Sequence, residues 1–182
     1  MTGALNLSDT ILTGKILLNL DTEEDEEICV GCAGGIDITM SKNYPLQELN
    51  EDEINVKILL NGLTGGHSGA EIHKGLGNSN KILFELIQKL NSDFDVKICS
   101  IDGGGLRNAI PRESSAIISF DENNLNSFKK IMKNTSQTLV AEFKETDDNI
   151  NLEFELLENR FQTIGAIESK ELINAINELS LI

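Results

Sequence analysis

The sequence predicts an α+β protein: a ferredoxin-like split βαβ layer, antiparallel with its helices on one face, joined to a short strand pair from another domain. Two observations carry this. From Glu53 to Leu157 the apolar spacing alternates between period two and period 3.6, in the order β-α-β-β-α-β. Residues 1–35 follow a different pattern altogether.

In that first stretch, residues 16–20 form a continuous apolar run, as in a strand covered on both faces. An acidic run covers residues 21–27, and a second apolar strand covers 28–33, closed by Gly34-Gly35. Two covered strands and an acidic turn cannot make a domain alone. Residues 1–35 are therefore read as the edge of a larger domain and 36–182 as a second one. Residues 36–40 read as a strand entering it, and residues 53–60 as a half-buried strand.

A glycine-rich loop spans 62–77. A helix follows at 79–90, with Ile82, Leu83, Leu86, Ile87 and Leu90 on one face and Asn78 or Ser79 as its cap. Residues 96–101 are a strand, Gly103-Gly104-Gly105 turns the chain, and 115–120 are the next strand. A long helix covers 124–143 with Leu125, Phe128, Met132 and Leu139 at helical spacing. The acidic stretch 142–148 reads as a solvated helix end and turn. Residues 150–157 alternate as a strand, and 169–179 read as a final helix.

The composition narrows the function. The chain of 182 residues is 40% hydrophobic, so it can bury a core, but it is only 4% aromatic without tryptophan, so Ile, Leu and Val should dominate that core. Fifteen basic against 30 acidic side chains give a formal charge of −15, which argues against a nucleic-acid groove and an anionic membrane partner. No 18-residue apolar run and no signal-like N-terminus occur, so the protein is expected to be cytoplasmic. Three cysteines fit reduced thiols. Cys29-Val30-Gly31-Cys32 is formally C-x-x-C, yet without a second pair it reads as two buried thiols in a strand.

Three segments could carry chemistry. Asp21 ends a buried strand, where a carboxylate is well placed for a metal, or is merely part of a solvated turn. In Gly65-Gly66-His67-Ser68-Gly69, flanking glycines leave an imidazole uncovered, although a capping or core histidine has the same local sequence. His73 follows, and two histidines alone make a poor metal site. Gly103-Gly104-Gly105-Leu106-Arg107-Asn108-Ala109-Ile110-Pro111-Arg112 joins two strands, so its polar groups point past the sheet end or simply make a cationic connection.

Taken in order, Leu18-Asn19-Leu20-Asp21-Thr22-Glu23, Gly31-Cys32-Ala33-Gly34-Gly35, Gly65-Gly66-His67-Ser68-Gly69-Ala70-Glu71-Ile72-His73, Gly75-Leu76-Gly77-Asn78 and Asn108-Ala109-Ile110-Pro111-Arg112-Glu113 resemble the aminoacyl-histidine (Xaa-His) dipeptidase branch of the dizinc aminopeptidase, carboxypeptidase and deacylase clan. The resemblance implies a metal-dependent hydrolase of Xaa-His dipeptides, with two zinc ions in the complete enzyme and at most part of their site here. By resemblance Asp21 is a zinc ligand, and the remaining ligands and a catalytic glutamate lie outside the chain. His67 becomes the lid histidine that polarises the scissile carbonyl. Asn108 becomes a contact to the substrate carboxylate. Related deacylases carry an arginine about thirteen residues further on; here that position is Asp121, which leaves Arg107 or Arg112 as substitutes. The resemblance also implies that this chain is an internal piece, incomplete at its C-terminal end, that can form a homodimer through the lid. The rival expectation is a free-standing ferredoxin-like module for dimerisation or small-ligand binding, without catalysis.

Overall fold

The computed structural model describes residues 6, 8, 10, 11, 13–16, 36 and 38–179. The chain divides into two compact units, Met1–Ser41 and Lys42–Ile182. In the first, a short turn closes where the Ile11 N–H donates to the Ser8 carbonyl at 3.1 Å. Ile38 and Met40 are exposed and, with Thr39, belong to no strand, contrary to the sequence pattern. Apolar alternation makes a strand only where a ladder partner exists, and among the described residues these have none. The expected strands at 16–20 and 28–33, and Asp21, lie outside the described residues apart from Ile16, which is exposed.

The second unit is a mixed α/β structure with antiparallel sheets and three helices. Its strands are β1 (Leu46–Gln47), β2 (Glu53–Asn61), β3 (Gly66–His67), β4 (Lys97–Gly103), β5 (Ala109–Ile110), β6 (Ser114–Asp121), β7 (Asn151–Leu157) and β8 (Thr163–Ile164). Its helices are α1 (Ser79–Asp93), α2 (Leu125–Glu142) and α3 (Ala166–Glu178). The main sheet runs β4-β6-β2-β7, every neighbour antiparallel, while β1 pairs with β8 and β3 with β5.

Alternate residues of the sheet face the helices. Val56, Ile58, Ala116, Ile118 and Phe120 share one buried cluster with Leu83, Leu86, Ile87 and Leu90 of α1, Phe128, Ile131 and Met132 of α2, and Ile173 of α3. Each Val, Leu, Ile, Phe or Met among them contributes about 1.5–3 kcal/mol on burial. Ile, Leu and Val make up most of the core, as the composition suggested, and Phe94, Phe120, Phe128 and Phe154 add a chain of ring contacts with centroids 5.0–5.1 Å apart. Seven phenylalanines are few, but four of them sit together at the centre.

Caps set the helix boundaries. Asn78 Oδ1 accepts from the N–H groups of Asn80 and Lys81 at 3.1 and 3.2 Å and starts α1. The final helix begins at Ala166 instead of the expected Ser169. Ser169 resembles an N-cap in sequence, but it is buried within the helix, where its Oγ accepts from Ile98 N–H at 2.9 Å and ties α3 to β4.

Cys99 sits at a register irregularity between β4 and β6, half-buried, with its Sγ 3.2 Å from Asn55 Nδ2. Burial pushes its thiol up to about 12; the Asn55 bond opposes this and the Glu53 carboxylate adds to it. The folded thiol thus ionises after the unfolded one. Its contribution to stability is complete below the ordinary value of 9.0 and is lost as the pH climbs through about 12. In a Cys29→Ser/Cys32→Ser variant, Cys99 should be alkylated at pH 8 roughly a hundredfold or more slowly in the folded chain than in urea, since only the thiolate reacts. Equal rates would contradict this environment.

Candidate functional site

The loop between β2 and α1 is held at both ends by one carboxylate. Asp147, in the turn after α2, is completely buried. Its Oδ1 accepts from Thr64 N–H at 2.7 Å and its Oδ2 from Gly77 N–H at 2.9 Å. Beside it, Thr64 Oγ1 donates to the Thr146 carbonyl at 2.7 Å. Glycines make the approach close enough. A Cβ on Gly62 (φ +77°) would meet the Asn149 carbonyl oxygen at 1.9 Å, and one on Gly77 would meet Leu63 Cδ2 at 2.3 Å. The stretch read from sequence as a solvated turn therefore contains a buried structural acid. A local pattern does not reveal this, because both of its partners lie far away in the chain.

Within the loop, β3 pairs with β5 in the register Gly66↔Ile110 and His67↔Ala109, and Ser68 N–H donates to the Asn108 carbonyl at 2.9 Å. Two of the three sequence-selected segments, those of His67 and Asn108, thereby become one structure. The second side of the loop is tied by Glu71. Its Oε2 accepts from His67 N–H at 2.8 Å and its Oε1 contacts Lys74 Nζ at 2.6 Å. The Lys74 ammonium, with the His67 backbone bond, holds the Glu71 carboxyl below the usual carboxylate range.

The His67 imidazole is exposed, and its Nδ1 accepts from the backbone N–H groups of Gly69 at 3.1 Å and Ala70 at 3.0 Å. A ring nitrogen that accepts carries no proton, so in the neutral ring the proton is on Nε2, the outward donor. His73 is also exposed, on the 3-10 turn Ile72–Lys74, and no side-chain hydrogen bond among the described residues joins it to His67.

A cleft of about 750 Å³ opens beside this strand pair, bordered by Gly65, Gly66, Ala109, Ile110 and Arg112. Its floor holds Leu59, Ser115 and Asp102, which are neighbours across β2, β6 and β4 on the sheet face opposite the helices. Arg112 lines the cleft, and Gly65 (φ +66°) leaves room for its stem, since a Cβ there would lie 3.2 Å from Arg112 Cβ. The side chains of His67 and Asn108 are beside the cleft and not in its lining. Asp121, at the position of the absent arginine, heads a 3-10 turn by accepting from Asn123 N–H at 2.8 Å.

Residues 58–147 match the family model described as the peptidase dimerisation domain, M20_dimer. The chain carries an M20-type peptidase dimerisation domain. It is 36% identical over 177 residues to the cytosol non-specific dipeptidase of Escherichia coli (strain K12), a match that covers 97% of this chain and 36% of that protein. It also resembles the crystal structure of aminoacylhistidine dipeptidase from Vibrio alginolyticus, with a TM-score of 0.71 and 26% identity over 75% of this chain and 28% of that one. The chain thus spans about a third of the length of these relatives, and the M20-type domain covers β3, β5 and Asp147 alike.

The tautomer can be tested directly. In nitrogen-15 spectra of the neutral ring, His67 should show a proton-bearing Nε2 and an unprotonated Nδ1. A proton on Nδ1 in the neutral ring would contradict the two backbone contacts that fix the loop.

Proposed function

We propose that this chain is part of a metal-dependent dipeptidase that hydrolyses Xaa-His dipeptides, contributing one zinc ligand and the layer that covers the substrate. The observation that carries the reading is the β3–β5 pair, which joins the His67 strand to the Asn108–Arg112 segment beside one cleft. In this reading His67 donates to the scissile carbonyl oxygen as negative charge develops there. The Arg112 guanidinium and the Asn108 amide hold the carboxylate of the substrate's C-terminal residue.

The same reading takes residues 1–35 as the edge of the catalytic domain and 36–182 as the lid and dimerisation domain. The element order and the strand order β4-β6-β2-β7 support a ferredoxin-like split βαβ arrangement for the latter. A homodimer through this domain follows from the family description, and a cytoplasmic location from the cytosolic relative. Among the described residues no helix is long and apolar enough to cross a membrane. Zinc is proposed on the resemblance and the dipeptidase relatives alone. Among the described residues no group of three or more His, Cys, Asp or Glu side chains can hold a metal, and Asp21 lies outside them.

The test uses the full-length protein that contains this chain. His67→Ala should lower kcat on an Xaa-His dipeptide by roughly 10²–10³, the usual effect of deleting an oxyanion donor, with bound zinc unchanged. His73→Ala should do much less. Loss of zinc in His67→Ala would make His67 a ligand, and an unchanged kcat would return it to a structural histidine.

A further inference from the structure

We infer that Asp147 is a positioning residue that acts on the reaction through His67, far along the chain from it. The inference rests on the function proposed above. The His67 loop leaves β2 and enters α1, and its two ends meet at a single buried carboxylate, one oxygen on Thr64 N–H and the other on Gly77 N–H. The adjoining Thr64 Oγ1 to Thr146 carbonyl bond fastens the same base. Between these ends the loop has glycines at 65, 66, 69 and 75, two of them with positive φ, so its backbone has little conformational preference of its own. Inside the loop are the Glu71 contacts and the two bonds to His67 Nδ1, while the β3–β5 pair ties its middle to the connection between β4 and β6. These fix the imidazole relative to the loop. The Asp147 clamp fixes the loop relative to the sheet end and the cleft, because Thr64 is itself a cleft residue.

A carboxylate is the group this site requires. It must accept on both oxygens at once, and an amide can accept on only one. Asp147→Asn keeps the shape and removes one anchor, whereas a purely structural acid would be missed only in stability.

Two measurements separate the roles. In the 182-residue chain, Asp147→Asn should speed hydrogen exchange at Thr64 or Gly77 at least tenfold, while Val56 and Ile118 keep their protection. In the full-length protein it should lower kcat at least tenfold at temperatures well below melting, with KM within about twofold and bound zinc unchanged. Combined with His67→Ala it should add no more than about threefold, since both changes would remove the same contribution. Ile131→Val supplies a control for simple destabilisation, and Thr64→Val probes the same base if Asp147→Asn fails to fold. A wild-type kcat in Asp147→Asn, or a full additional loss on top of His67→Ala, would overturn the inference. If His67→Ala itself leaves kcat unchanged, the functional reading fails instead, and the exchange measurement still decides whether Asp147 holds the loop.

Discussion

The site depends on one buried charge. Asp147 is enclosed by protein, and each of its oxygens holds a backbone N–H at opposite ends of the loop that carries His67. Hydrogen bonds to a charged group are worth about 1.5–3 kcal/mol each. That is the right order to offset the entropy of closing one loop, which grows only slowly with its length. Without the carboxylate, the buried Gly77 amide would be left beside Leu63 and Phe143, which flank it.

From this anchor the rest of the geometry follows in steps. The clamped loop can lay β3 against β5, and that pair brings the connection between β4 and β6 alongside the histidine. The helices occupy the other face of the main sheet, so the end of the uncovered face, at Leu59, Ser115 and Asp102, becomes the floor of the cleft. The fold thus separates its tasks. One face of the sheet makes the core, and the end of the other carries polar side chains beneath two glycine-rich segments.

The long elements were legible in the sequence because burial writes itself as periodicity. The strands at 53–61 and 114–121 and the helices at 79–93 and 125–142 repeat their apolar residues often enough to be read. The two-residue strands β3 and β5 have no period to read; only the structure joins them. Asp147 looked solvated because a carboxylate after a helix usually is, and its burial is decided by amides some seventy to eighty residues earlier. The final helix starts three residues before the position read from sequence, and Ser169, buried within it, serves a tertiary contact to β4. The alternation around Ile38, Thr39 and Met40 has no partner strand among the described residues to make it structural. Among the candidate residues, the three in the second unit were picked out by glycine context and by resemblance. Their mutual placement was not readable, because it depends on the clamp.

Amide hydrogen exchange at Thr64 and Gly77 of the wild-type chain tests the clamp most directly. Both amides belong to a glycine-rich connection that would ordinarily exchange freely. The account predicts protection approaching that of β2 and β6, since opening either amide requires breaking a bond to a buried carboxylate. Exchange at the rate of an unstructured peptide, with the sheet amides still protected, would show that the loop is not held by Asp147 and would remove the basis for placing His67.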